Sequence, residues 1–495
     1  MRALLLTTLA SALTACGDDD APARDADTTD SADTDVPDVT DLCAPAPLTN
    51  LALTADGTVL RDALGREVRL RGLNTGGRAK IPPFVPFAFA EAGAEAPPFS
   101  EAVAAYFDRV KGWGLDVVRL PFTWEAVEPT RGAYDQVFLG RLDQMIAAAG
   151  ERDLRVVLDA HQDVFARPYC GDGFPLWAMS DPDPEPADCS AWFNQYFLPP
   201  VQREFDRFWQ NDDGLMDAFE ALWRMLATRY RDVDAVVAFE IINEPGWGTM
   251  DMDEFSRDVL TPFYSRMAAI VNEVAPDHLV LVDPTGVDGV LLETTMTLPT
   301  GRGIVFAPHY YNGQVALNGE VPESVDVLGA LAKWKAVGDD WNVPVFLGEF
   351  GITHEASGAA RFMRLHWEAI EALGIHGTQW EYSVTGQDWN TESMSVVDAD
   401  GTERELAAEL MRAYPSAIAG ALSEWRFDRD AREGELTLDA AGTTVVTAPS
   451  RLYPEGLAAT VLEGAACARW DAATGELRIG GSGRVRVSFG PAVAQ

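Results

Sequence analysis

Eight apolar runs, rich in Val, Ile and Leu, constrain this chain more than any other feature. They are "VRLRGLN" (68–74), "DVVRLPFTW" (116–124), "RVVLDAHQD" (155–163), "VVAFEIINEP" (236–245), "HLVLVDP" (278–284), "IVFAPHYYN" (304–312), "VPVFLGEFG" (343–351) and "HGTQWEYS" (376–383). Such runs suit strands covered on both faces, and in most cases a helical spacer follows, as parallel crossovers require. The spacer "SEAVAAYFDRVKGWG" (100–114) sets Val103, Phe107 and Val110 on one face before a glycine stop. The pattern predicts an α/β fold, a parallel sheet closed as a (β/α)8 TIM barrel. Seven of the runs end in polar groups such as Arg-x-Pro, His-Gln-Asp, Asn-Glu-Pro, His-Tyr-Tyr, Gly-Glu-Phe or Gln-Trp-Glu. A barrel gathers all of these ends on one face.

The flanks read differently. From residue 51, "LALTADGTVLRDALGREVRLRGLN" alternates and turns at Asp56-Gly57 and Leu64-Gly65, as hairpin strands do. After about residue 415, "GELTLDA", "TTVVTAPS", "AATVLEG", "GELRIGG" and "RVRVSFG" predict a small C-terminal β-sandwich over 415–495, leaving 48–414 to the barrel. The start, "MRALLLTTLASALTACGDDD", has one basic residue, a short apolar run and Leu-Thr-Ala before Cys16. That is the pattern of a bacterial lipoprotein signal (1–15), removed to leave a lipid on Cys16, with an ordinary cleaved signal as the alternative. Residues 16–47 form an acidic tether, since Gly17 to Asp41 holds ten Asp, one Arg and no aromatic residue. The expected location is therefore outside the cytoplasm, on a bacterial membrane such as the outer membrane or cell surface. A net charge of −39 without a basic patch excludes nucleic acid as a partner.

Export permits disulfides among Cys43, Cys170, Cys189 and Cys467. Cys170 and Cys189 bracket one loop and are the expected pair; Cys43 and Cys467 then remain, although sequence does not determine connectivity.

Glu244 ends the fourth run and Glu349 the seventh. Strands four and seven of an eight-stranded ring lie nearly opposite, so the two carboxylates would face each other across the cavity. Retaining glycoside hydrolysis needs that arrangement, an acid on one side of the anomeric carbon and a nucleophile on the other, about 5 to 5.5 Å apart. The expected roles are Glu244 as acid/base and Glu349 as nucleophile, with Asn243 bonding a sugar 2-hydroxyl. Arg119 would orient Glu349, Tyr311 would donate to it, His161 would bond hydroxyls or the acid, and Trp380 would stack on a pyranose. His309, two residues before Tyr311, joins them as a supporting group. Singly, each of these has a structural reading; together at the strand ends they make a site. No spacing of Cys, His, Asp or Glu suggests a metal, and no cofactor is implied.

The chain from about residue 50 to 385 resembles the retaining β-glycosidases of glycoside hydrolase family five, clan A, in "DGTVLRDALGREVRLRGLN", "VRLPFTWEAVEPTRGAYD", "INEP", "HYY", "LGEFG" and the strand-eight Trp. Within that family, "DAHQDVFAR", "GFPLWA", "YPSAIAG" and "TTVVTAPSRLYPEG" resemble endoglycoceramidases and their relatives, which cut whole glycans from ceramide. The resemblance implies His161, Asp163, Asn243, Tyr311 and Trp380 as sugar contacts, with Lys80 and Trp177 beside them. It implies a glycolipid or oligosaccharide as substrate. The stretch "IPPFVPFAFA" (81–90) either lines a slot for an acyl chain or packs a loop against the barrel. Two other functions fit a barrel of this kind: an endo-β-glucanase or β-mannanase, and a non-catalytic surface glycan-binding protein.

Overall fold

The computed structural model describes residues 41–44, 51–92, 95–184, 188–384 and 389–492. The signal, Cys16 and most of the acidic tether lie outside them. Eight parallel strands build the barrel: β1 Arg71–Asn74, β2 Val117–Thr123, β3 Arg155–His161, β4 Val236–Glu240, β5 Leu279–Val282, β6 Ile304–Phe306, β7 Phe346–Leu347 and β8 His376–Gln379. Neighbours pair in sequence order, β8 pairs with both β7 and β1, and a parallel bridge from Phe306 to Val345 closes the ring.

Period-two alternation gives each strand two different tasks. Outward residues meet the helices: Phe122 and Phe239 pack on Trp223 of helix Leu215–Tyr230, with ring centroids 5.8 and 5.7 Å apart. The opposite phase sends Arg119, Asp159, His161 and Glu240 into the barrel. Two of the long helices begin at side-chain caps. Asp135 accepts from the Val137 and Phe138 N–H groups, and Asp326 accepts from Gly329 N–H at the start of helix Val327–Trp341.

The C-terminal strands are β9 Tyr414–Ile418, β10 Gly420–Asp428, β11 Glu433–Thr447, β12 Leu457–Glu463, β13 Ala466–Asp471 and β14 Glu476–Pro491. The long strands β11 and β14 pair throughout, from Gly434–Phe489 to Thr447–Glu476. Their outer partners change near Gly442 and Gly483, both at positive φ, so one half carries β10 and β12 and the other carries β9 and β13. Two leaves result, enclosing Leu436, Leu438, Val446, Ile479, Val485 and Val487.

One placement differs from the sequence reading. The hairpin strands Leu53–Asp56, Val59–Asp62 and Glu67–Val68, grouped there with the barrel, extend the C-terminal sheet, because Val68 and Glu67 pair with Ala417 and Ile418 of β9. Cys43 is bonded to Cys467 of β13, with Cα atoms 6.0 Å apart, and so ties the chain ahead of the hairpin to the same sheet. The stretch 81–90 is not an open slot. Val85, Phe87 and Phe89 are buried, and Phe87 and Phe89 pack on Phe99 of the first barrel helix at 5.4 and 5.1 Å. Among the described residues no helix is long and apolar enough to cross a membrane.

Candidate active site

Strand register assembles the floor of the site. Asn74 pairs with Arg119, Thr123 with His161, and Asp159 with Glu240. Arg119, fully buried, forms a bidentate pair with Glu240 at 2.8 Å and 2.8 Å and reaches Glu349 Oε1 at 2.6 Å. It also donates to Asn74 Oδ1 (2.9 Å) and Asn243 Oδ1 (2.8 Å), with Asp159 Oδ2 at 3.1 Å. A buried cation is tolerable only when satisfied in this way. Burial opposes ionisation of Glu240, but Arg119 outweighs it and draws the carboxyl down to about 2 from an ordinary 4.5. The stability this ionised group contributes is full above its ordinary pKa and is lost as pH falls toward 2. Glu240→Gln is therefore expected to lower the melting temperature clearly at pH 7, with the gap to the parent narrowing between about pH 4.5 and pH 2 in a calorimetric series. A constant gap would show that the Glu240 charge is not what stabilises this floor.

Glu349 and Glu244 stand above the floor. Parallel register sets His309 beside Glu349. Glu349 takes Arg119 on one oxygen and the Tyr311 hydroxyl on the other at 2.8 Å. Burial would push this carboxyl up; His309, Arg119, His161 and Lys80 together outweigh burial and hold it below its usual range. Glu244 follows β4 by four residues and has φ of +36°, an uncommon region for a residue with a side chain. Several bonds hold it there. Its N–H donates to Asp283 Oδ2 (2.8 Å), and Gln162 Nε2 donates to the carbonyls of Asn243 and Glu244 (2.8 and 2.7 Å). Gly286 lies so close that an added Cβ would sit 2.5 Å from Glu244 Oε2.

His309 bridges the pair, with Nδ1 at 2.9 Å from Glu244 Oε1 and 3.7 Å from Glu349 Oε2. Each of the three residues offers an atom within 4.8 Å of the others. Behind the ring, Nε2 faces Asp283 at 3.5 Å and Glu240 at 3.9 Å. Burial disfavours the imidazolium, yet Asp283 and Glu349 overcome that and raise the His309 pKa well above the ordinary value.

A second cluster lines the other side. Lys80 Nζ is 2.5 Å from Asp163 Oδ2 and lies over the rings of Trp389 (3.8 Å) and Trp380 (4.4 Å). His161 stacks on Trp380 at 5.4 Å and bonds Asp159 through Nδ1 at 2.7 Å. Burial lowers the His161 pKa, but Asp159 outweighs it, and the ring is pushed up to about 10. Asn390 Nδ2 donates to the Cys170 carbonyl at 2.7 Å, joining the loop after β8 to the loop closed by the Cys170–Cys189 disulfide.

The candidates Glu244, Glu349, Asn243, Arg119, Tyr311 and His309 thus come together, and His161, Asp163, Lys80 and Trp380 form the adjoining wall. Trp177 does not join them. Its Nε1 donates to the Glu128 carbonyl (2.8 Å), and its ring packs against Trp124 and Arg131, anchoring the disulfide loop. Asn243 uses Oδ1 for Arg119 and one N–H for the Gln162 carbonyl (3.0 Å), which leaves its second N–H for a ligand. Glu240, Asp159 and Asp283 were not among the candidates; an acid at an inward position of a buried strand was the signal for the first two. His161, Asp163 and Asp172 are close enough to ligate a cation, but the Lys80 ammonium already occupies Asp163.

A closed parallel barrel whose mouth holds two facing carboxylates, one braced by Arg and Tyr, defines the class as a TIM-barrel glycoside hydrolase. The family model Cellulase (glycosyl hydrolase family 5) matches residues 62–386, and the chain belongs to that family. It is 26% identical to endoglycoceramidase I of Rhodococcus hoagii over 438 residues, covering 84% of this chain and 83% of that enzyme. The structure of endo-glycoceramidase II from Rhodococcus sp. with ganglioside GM3 aligns with a TM-score of 0.74 and 27% identity, over 88% of this chain and all of that one. The same enzyme as a lactosyl-enzyme intermediate aligns with a TM-score of 0.72, also at 27% identity and with the same coverage.

Proposed function

We propose that the protein is a retaining endo-β-glycosidase that hydrolyses the glycan–lipid bond of glycosphingolipid-like glycolipids, with Glu349 as nucleophile and Glu244 as acid/base. One observation carries the mechanism: an oxygen of Glu244 and an oxygen of Glu349 lie within 4.8 Å of each other, so that both acids can reach one anomeric carbon. In the first step Glu349 attacks the anomeric carbon while Glu244 protonates the departing oxygen. In the second step Glu244, which has given its proton to the leaving oxygen, takes one from water, which attacks the same carbon and restores Glu349. The free N–H of Asn243 meets the 2-hydroxyl, and His161, Asp163 and Lys80 bond the outer hydroxyls beside Trp380.

The substrate class rests on the named activities of the relatives, on the ganglioside bound to one of them, and on their near-complete alignment with this chain. The family model's cellulase description favours a second reading, hydrolysis of a soluble β-glucan. Purified protein incubated with glucosylceramide, gangliosides and soluble β-glucans separates the two. Glycan released from the lipids is expected; sugar released from the polymers alone would end the glycolipid reading.

We place the enzyme on a bacterial membrane through lipid on Cys16, which suits a membrane-borne substrate. Metabolic labelling with palmitate is expected to mark the parent and not Cys16→Ser; equal labelling would refute the anchor.

A further inference from the structure

Three loops flanking Glu244 carry apolar tips that the hydrolytic chemistry does not use. Phe197-Leu198-Pro199-Pro200, after β3, is exposed throughout. Val290 and Leu291, after β5, and Leu317, after β6, are exposed as well; Phe197 is 50% exposed, Leu291 56% and Leu317 88%. These are large apolar side chains held in water, where they are disfavoured unless something covers them.

The tips form one arc around the acid. The Phe197 ring packs 5.3 Å from Trp247, three residues beyond Glu244, and the hydroxyl of the adjacent Tyr196 lies 3.5 Å from the Glu244 carbonyl. Helix Gly286–Leu291 begins against the Glu244 carboxylate and ends at the exposed Val290 and Leu291. Val290 in turn packs on Gly313, the first residue of helix Gly313–Asn318, which carries Leu317. Stretches 197–200, 289–292 and 313–319 contain no charged residue, in a chain with 77 Asp and Glu among 495 residues.

We infer that this arc is a membrane-docking surface that inserts into a neutral phospholipid interface. The inference rests on the glycolipid reading above. An acid must face the bond it protonates, so the leaving lipid, and the bilayer that holds it, lie on the Glu244 side. The arc is on that side. Insertion here is apolar rather than electrostatic: the arc offers no Lys or Arg to anionic headgroups, and a net charge of −39 is repelled by them. The occupant that fits is therefore a zwitterionic surface.

The test uses the full chain carrying Cys16→Ser, so that an N-terminal lipid contributes nothing, and compares it with the same chain carrying Leu291→Asp and Leu317→Asp. Co-sedimentation with phosphatidylcholine vesicles is measured alongside hydrolysis of a glycolipid in those vesicles and in detergent micelles. Both vesicle readouts are expected to fall at least about tenfold in the variant, with micelle hydrolysis within about twofold of the parent. Adding phosphatidylserine is expected to weaken binding of the parent. A parent that does not sediment with the vesicles, or a variant that binds and hydrolyses in them like the parent, overturns the docking surface. Glycolipid left intact in both vesicles and micelles overturns the substrate reading instead, and co-sedimentation still decides the arc. Should the double variant lose micelle hydrolysis through misfolding, the single change Phe197→Ser is read by the same three measurements.

Discussion

Glu349→Gln is expected to lose about four orders of magnitude or more in kcat while still binding the glycan. The amide keeps the shape of the side chain and can still meet Arg119 and Tyr311, now at 2.6 and 2.8 Å from the carboxylate oxygens, but it cannot form the glycosyl ester. Arg119 keeps Glu240 and Asp159 as anionic partners, so the variant should fold. Glu349→Gly extends the test. Azide entering the space left by the side chain attacks from the nucleophile's face, and an activated β-glycoside should then yield the α-glycosyl azide. Turnover of Glu349→Gln at the parent's rate would remove the assignment.

Glu244→Gln is expected to produce a different failure, one that depends on the leaving group. With a glycolipid, whose alcohol departs poorly without a proton, kcat/KM should fall by about 10² to 10⁴. With a dinitrophenyl glycoside the first step needs no acid. The glycosyl-enzyme then forms quickly and persists, because no base activates water, and a burst with a low steady state follows. Azide, which needs no base, should speed the second step and give the β-glycosyl azide. Equal losses on both substrates, with no burst and no effect of azide, would mean that Glu244 does not transfer protons. The leaving-group dependence separates proton transfer from simple disruption at the strained position, whose φ of +36° is held by Asp283 and Gln162.

The barrel could be read from sequence because parallel strands are covered on both faces and so appear as unbroken apolar runs, while their ends must carry the polar groups that face the mouth. Glu244 and Glu349 were legible for that reason, each sitting where such a run stops. Arg119 and Tyr311 followed from the same rule, and both touch Glu349 as expected. Glu240 and Asp159 were harder, since an acid inside an apolar run gains meaning only when the alternation phase and the neighbouring register place it against Arg119. Asp283 supports the Glu244 N–H from another strand end, a contact between distant segments that no local pattern reports.

The same limit explains the hairpin at 53–68 and the stretch 81–90. Local alternation marks the hairpin strands but not their partner, which is β9 at the other end of the chain. An apolar loop is equally suited to a lipid slot or to a helix face, and only the packed position of Phe99 decides for the helix. Trp177 was open for a related reason: a Trp in a loop can stack on sugar or anchor the loop, and its bond to the Glu128 carbonyl is of the second kind.

Everything in the chemistry depends on Glu244 and Glu349 acting on one anomeric carbon in two successive displacements. Proton NMR of the first-formed reducing sugar, recorded before mutarotation, reads this directly. The β-anomer appearing first is the predicted result; initial appearance of the α-anomer would mean a single displacement by water and would contradict the account.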